Sequence, residues 1–338
     1  MNFTEVKIER RFLRYKKAIY TSNGKITDRE VILLRVKNKE GICGYGESSP
    51  LEGFTKETIE DVEKILFEWS KTHSDDLLSD APVAKSAVDC AIADLKAKES
   101  GLPLHKFLNP ESPTSFPVSH LLIGDTPKEI SSNAQRAAGL GFQTLKIKVG
   151  NKNPDLDLEK LKAIRETVGQ EIAIRIDANG GWEPNKAIEI LSKLDDVNPE
   201  FIEEPTKGIE NLAFVRQHVN QKIAIDESLL EIEDFGLIMS EQIADVVVIK
   251  PSAIGGISLA LHLIEQIKNS DLEIVVTSLL DGAFGVAAAA HLTSACELFN
   301  PAPGLGTSPL LSDDLAKPLN IQKGHLVLNK SSGLGVNP

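Results

Sequence analysis

The stretch Thr144–Gly150, "TLKIKVG", places two lysines two residues apart inside an apolar segment. Residues i and i+2 of a strand share a face, so Lys146 and Lys148 stand side by side while Leu145, Ile147 and Val149 face the other way. If both faces of the strand are buried, two ammonium groups have been put where charge is expensive. On an exposed edge strand the same lysines would only deter aggregation. The surrounding chain decides between the two.

Working outward, apolar strand candidates recur at regular intervals: "FPVSHLLIG", "TLKIKVG", "IAIRIDANG", "EFIEEP", "IAIDES", "DVVVIKPS" and "LEIVVTS". Helical stretches such as "TPKEISSNAQRAAGLG" and "ISLALHLIEQIKNS" separate them, and "CELFNPAPGLGT" supplies an eighth, weaker unit. About eight βα units in roughly 200 residues is the arithmetic of a (β/α)8 barrel, here over 116–317. A doubly wound open sheet is the competitor. Residues 1–115 read differently. "REVILLRVKN" and "GICGYGESSP" are strands broken at Gly41, and two helices follow, from Thr58 to about Ser70 and within "APVAKSAVDCAIADLKAKESG". Strands followed by helices without alternation predict a separate α+β unit, with "NPESPTS" as the boundary. The last segment, about 318–338 with "LNIQKGHLVLN", is expected to return to that first unit.

The 338 residues suffice for a large core with a smaller companion, and 41% hydrophobic with 25% charged residues is ordinary for a globular protein. A formal charge of −12 argues against a nucleic-acid partner. Cys43, Cys90 and Cys296 are scattered without CxxC spacing and read as reduced, packed thiols. No segment has signal-peptide or membrane-spanning character, so a cytoplasmic protein without a membrane partner is expected.

In a barrel, catalytic groups sit at the C-terminal ends of strands. Those ends carry Lys146 and Lys148, then Asp177 and Asn179, then Glu203-Glu204, then Asp226-Glu227, then Lys250. Alternation points Ala173, Arg175, Asp177 and Asn179 toward the barrel axis, and Asp226 likewise. The parity of "FIEEP" stays open because Pro205 ends that strand. Inward carboxylates on three consecutive strands would repel one another unless a cation lay among them. Oxygen-only ligation selects Mg2+, with Mn2+ able to substitute. The lysines then flank the metal, Lys146 and Lys148 on one side and Lys250 on the other. Near a cation and away from water an ammonium pKa falls, which makes a neutral amine base accessible. The chemistry this suits is removal of a proton α to a carboxylate, and a lysine base beside Mg2+ is an established pattern for it.

"KIKVG", "IDANGGW", "IEEP", "IDES" and "VVIKPS", in this order, resemble the motifs of the enolase superfamily, muconate lactonizing enzyme subgroup. The resemblance spans nearly the whole chain and implies an N-terminal capping domain ahead of a modified barrel. It implies Asp177, Glu203 and Asp226 as Mg2+ ligands, with Asn179 supporting them, Lys148 as acid/base beside Lys146, and Lys250 on the opposite face. Candidate activities in the subgroup are o-succinylbenzoate synthase, dipeptide epimerase or N-acylamino acid racemase, and muconate-type cycloisomerase. Epimerases of the Ala-Glu type carry an Asp-x-Asp after the last strand to hold the substrate ammonium. Here "PGLGTSPLL" has Gly304 and Gly306 at those places.

"TSNGKITDREVILLRV", "GYGESSPLEGFTKETIEDV" and "PGLGT" look more like o-succinylbenzoate synthases. The implied reaction is dehydration of 2-succinyl-6-hydroxy-2,4-cyclohexadiene-1-carboxylate in menaquinone biosynthesis. The implied substrate contacts are Ser22 and Lys25 of the capping loop, Ser278, Asp281 and Gly304. "TSLLDGAFG" departs from the pattern, with Asp281 where relatives usually have Glu. A non-catalytic binding protein on this fold would be expected to have lost a lysine or a carboxylate, and none is missing. The expected partner is a small carboxylate, and a homo-oligomer is left open.

Overall fold

The structure, a computed structural model, describes residues 3–21, 24–150, 153–231 and 236–338. Three antiparallel strands open the chain: β1 (Glu5–Thr21), β2 (Gly24–Lys37) and β3 (Cys43–Ser48). Against them pack α1 (Ile59–Thr72) and α2 (Pro82–Glu99). α1 starts at a capping box in which Thr58 and Asp61 satisfy each other's backbone N–H groups, and α2 starts with Pro82 in its first turn. The glycines of "CGYGES" let β3 lie directly on α2: a Cβ at Gly46 would stand 1.9 Å from the Ala87 carbonyl oxygen.

After the short α3 (Leu104–Leu108) and β4 (Ser115–Pro117), strands and helices alternate. The units are β5 (His120–Leu122) with α4 (Pro127–Gly139), β6 (Thr144–Lys148) with α5 (Pro154–Val168), and β7 (Ala173–Asp177) with α6 (Pro184–Leu191). Next come β8 (Phe201–Glu203) with α7 (Ile209–His218), and β9 (Ile223–Ile225) with α8 (Gly236–Ser240). β10 (Val246–Ile249) with α9 (Pro251–Ile254) and α10 (Ile257–Ile267), then β11 (Glu273–Val276) with α11 (Ala283–Ala295), complete the series. β5 to β11 form one parallel sheet in sequence order. The sheet closes on itself through Pro303 and Gly304. The Gly304 N–H donates to the Val276 carbonyl at 2.8 Å, and the Ser119 N–H donates to the Pro303 carbonyl at 2.9 Å. The expected eighth unit is thus a two-residue stave rather than a strand, because Pro301 and Pro303 lack N–H groups for a longer ladder.

Side-chain parity follows the expected pattern. Ile147, Ile174, Ile176, Ile202, Ile223 and Ile249 join the core between strands and helices, while Phe201, Ala224, Val246, Val248 and Val275 form a separate cluster on the inner face. Arg175 is buried beneath the site, its guanidinium 4.7 Å from the Phe201 ring and 2.5 Å from Glu200. Among the described residues no helix is long and apolar enough to cross a membrane.

The chain's last part packs against several earlier elements. β12 (Leu311–Asp313) pairs with β1 in the first sheet, whereas β13 (Asn320–Gln322) and β14 (His325–Val327) form a hairpin on β4. Farther on, the Leu334 N–H donates to buried Asp94 of α2 at 2.7 Å. His291 of α11 accepts from the His105 N–H at 2.9 Å through Nδ1, and its Nε2 meets the Leu334 carbonyl at 3.1 Å.

Two outcomes follow from this packing. Gly46→Ala forces the new methyl into backbone of α2 and is expected to cost about 3 kcal/mol or more, measured by urea unfolding. Burial lowers the pKa of His291 to about 3 and of His105 to about 4. The unfolded histidines take up protons below about pH 6.5 while the folded ones do not until about pH 4, so the unfolded state binds more protons in between. Stability from this pair is therefore lost as pH falls from 6.5 to 4. Unfolding free energies across that window should show a shallower slope in His291→Gln than in the wild type; equal slopes would refute the assignment.

Candidate active site

Strand ends and lysines meet at the mouth of the barrel. Lys146 Nζ lies 2.6 Å from Glu203 Oε2 and 2.9 Å from Asp177 Oδ2. Lys148 Nζ contacts the same Asp177 oxygen at 2.7 Å and donates to Asn179 Oδ1 at 2.8 Å. Lys250 pairs closely with Asp226 and stands 3.9 Å from Glu203. Register explains the layout: Lys148, Asp177 and Glu203 are aligned across β6, β7 and β8. Asp226 and Lys250 directly follow β9 and β10.

The structure also separates the two adjacent glutamates. Glu203 keeps the inward parity of Phe201. Glu204 takes a left-handed φ of 41°, which turns its carboxylate into the next loop. There it accepts the Asp226 N–H at 2.8 Å, the Ser228 N–H at 3.1 Å and the Ser228 hydroxyl. Glu204 therefore shapes the turn that presents Asp226. Asn179, also left-handed at φ 45°, accepts from Lys148 and donates to Glu227 at 2.9 Å.

Charge is unevenly balanced here. Burial opposes ionisation of Asp177, but Lys146 and Lys148 prevail and hold it well below the carboxylate range. Glu203 is pushed up to about 7 by burial and by the charge of Asp177. Burial also raises Asp226, against the pull of Lys250. Burial works against the ammonium groups too, yet the carboxylates outweigh it and set Lys146 and Lys250 above the ordinary lysine range. This is opposite to the lowered pKa expected of a lysine base. A cation held by these carboxylates would offset their pull and leave burial to act on the ammonium groups.

The residues present suit such a cation. Asp177, Glu203 and Asp226 offer only oxygen, and Glu203 Oε1 is buried without a hydrogen-bond partner. As they stand they do not form a ligand cluster, and no group of three metal-ligating side chains does so among the described residues, since each carboxylate is drawn onto an ammonium.

Above the charged groups lies a cavity of about 910 Å3. The barrel contributes Ser278, Gly304 and Thr307, and the capping domain contributes Lys25 and Phe54. Ser278 Oγ is 3.0 Å from Thr307 Oγ1. Ser22 lies outside the described residues. Asp281 does not line the cavity; it is buried behind the wall, where Oδ2 accepts from the Leu279 N–H at 2.8 Å and the Ser252 hydroxyl at 3.1 Å. The sequence reading missed Phe54, whose ring centre is 4.4 Å from Lys250 Nζ. "LEGFTKET" has no local signal for this role, because only the docking of the loop 51–58 over the barrel creates it.

Comparison with known proteins agrees with this geometry. Residues 4–109 match the family described as "Mandelate racemase / muconate lactonizing enzyme, N-terminal domain", and residues 129–338 match "Enolase C-terminal domain-like". A hydrophobic dipeptide epimerase of Enterococcus faecalis is 31% identical over 363 residues, spanning 100% of both chains. An o-succinylbenzoate synthase of Mycobacterium tuberculosis is 35% identical over 195 residues, 57% of this chain and 58% of its own. The Enterococcus faecalis dipeptide epimerase complexed with Mg and L-Leu-L-Tyr superposes with a TM-score of 0.88 at 29% identity, covering 100% of each chain. With matching domains at both ends and the lysine–carboxylate constellation between β6 and β10, the chain belongs to the enolase superfamily, in its muconate lactonizing enzyme subgroup.

Proposed function

We propose that this enzyme removes the proton α to a carboxylate and acts as an o-succinylbenzoate synthase, dehydrating 2-succinyl-6-hydroxy-2,4-cyclohexadiene-1-carboxylate to o-succinylbenzoate in menaquinone biosynthesis. The choice of substrate is carried by a steric observation. A Cβ at Gly306 would stand 2.3 Å from the Ser119 carbonyl oxygen, and one at Gly304 would stand 2.7 Å from the Thr277 methyl. This backbone has no room for the paired aspartates that would hold a dipeptide's ammonium. Lys25 on the capping side suits an anionic group such as a succinyl carboxylate.

Asp177, Glu203 and Asp226 would hold Mg2+, or Mn2+ in its place. When bound, the cation supplies Lewis-acid stabilisation of the negative charge that develops on the substrate carboxylate. Lys148, oriented by Asn179, takes the proton from C1. The electron pair left behind forms the new ring double bond as the C6–O bond breaks, and the hydroxyl departs as water with the proton that Lys148 returns. Lys146 keeps positive charge beside Glu203 and Asp177, and Lys250 provides it on the opposite face. Phe54 and its loop exclude water above Lys250.

The relative matched over its whole length, a hydrophobic dipeptide epimerase, favours a second reading, epimerisation of a dipeptide; racemisation of an N-acylamino acid would use the same two-sided chemistry. There Lys148 and Lys250 would exchange protons from opposite faces of the α-carbon.

Ultraviolet detection of o-succinylbenzoate formation separates the two. Turnover with Mg2+ that stops with EDTA is expected, and Lys148→Ala should lower kcat/KM by about 10²–10⁴-fold. Absence of turnover from folded, Mg2+-loaded protein, together with α-deuterium exchange into a dipeptide or N-acylamino acid, would establish the second reading. Full activity in Asp226→Ala alongside a dead Lys148→Ala would refute the metal assignment.

A further inference from the structure

One buried side chain that the chemistry does not use joins the capping sheet to two walls of the cavity. Arg29, on β2, is 5% exposed. Its Nη2 donates to the carbonyls of Ser49 at 2.6 Å and Pro50 at 3.2 Å, at the root of the loop that carries Phe54. Its Nη1 donates to the Leu280 carbonyl at 3.0 Å and more closely to that of Leu279, in the segment that follows β11 and lines the cavity. The Tyr15 hydroxyl donates to the same Leu280 carbonyl at 2.8 Å.

The start of that segment is anchored to the barrel, with the Thr277 N–H donating to the Ile249 carbonyl at 2.9 Å and Ser278 Oγ 3.0 Å from Thr307 Oγ1, but its end needs other support. Leu280 sits at φ 57°, a left-handed conformation that a bulky residue disfavours and that persists only where the surroundings impose it. The surroundings here are Arg29, Tyr15 and two buried carboxylates. Asp281 receives the Leu279 N–H, and Glu47 receives the Gly282 N–H at 2.7 Å, the Gly285 N–H at 3.0 Å and the Ser49 hydroxyl at 2.6 Å. A planar guanidinium presents its donors from separate nitrogens in a fixed fork, whereas the three donors of an ammonium radiate from one nitrogen on a shorter reach.

We infer that Arg29 is a positioning residue: with Glu47, which joins Ser49 to Gly282, it fixes the Phe54 loop and the 277–282 wall relative to each other and so helps set the width of the cavity over Lys250. A residue that merely stabilised the capping sheet would not couple these two segments. The inference rests on the reading that this cavity binds the carboxylate substrate, but the mechanical coupling can be tested apart from it.

Hydrogen exchange of the full chain by mass spectrometry provides that test. In Arg29→Lys, amides in 51–58 and in 277–282 should both exchange about tenfold faster or more, with α2 unchanged. Tyr15→Phe should accelerate 277–282 alone. Isothermal titration of the Mg2+-loaded protein with o-succinylbenzoate should show about tenfold weaker binding in Arg29→Lys, while the affinity for Mg2+ alone stays within about twofold. Acceleration of only one segment in Arg29→Lys, or equal acceleration throughout the capping sheet, overturns the inference. If Arg29→Lys does not fold, wild-type exchange under rising urea decides instead: one shared opening free energy for both segments supports the coupling, and two different ones refute it. Failure of o-succinylbenzoate to bind the wild type counts against the synthase reading and leaves the exchange result to judge Arg29.

Discussion

Three buried carboxylates on neighbouring strand ends constrain everything around them. Asp177, Glu203 and Asp226 repel one another in a region where water does not screen them, so the barrel must bring compensating charge to the same place. It does so with lysines on β6 and after β10, which leaves Asp177 strongly acidic and Glu203 reluctant to ionise. The helices outside the sheet and the apolar cluster inside it hold this arrangement at one height in the barrel.

Much of that centre was legible because it rests on short-range periodicity. A strand alternates with period two, so "KIK" and "RID" fix which face carries charge before any tertiary structure is known. Glu203 was not separable from Glu204 in this way. The backbone turns left-handed at Glu204, and alternation stops where the strand does. The resemblance to a known family, not the spacing, chose between them.

Other features depend on contacts distant in sequence, for which local pattern has no signal. Phe54 comes from a loop with ordinary composition, and Arg29 reads as one more polar residue on a strand. Asp281 sits close in sequence to Ser278, yet its carboxylate turns behind the wall to hold the Leu279 N–H. The eighth barrel position was visible only as a weak unit, since two prolines and two glycines in "NPAPGLGT" give neither period. Site-level sterics and whole-chain similarity point to different substrates because they sample different things. Gly306 reports on a few ångströms of backbone beside Ser119, whereas overall identity is dominated by the shared scaffold.

The pairing of β12 with β1 has a consequence for how the molecule is made. A strand near residue 311 completes the sheet that begins at residue 5, and Leu334 satisfies the buried Asp94 of α2. During synthesis the N-terminal sheet therefore leaves the ribosome with an open edge and must wait for the whole barrel to follow. Contacts of such long sequence separation form late, because the intervening chain must be ordered first. β12 covers β1 only around Arg14 and Tyr15, so before and after it docks the edge of β1 relies on its arginines and lysines to resist pairing with other chains.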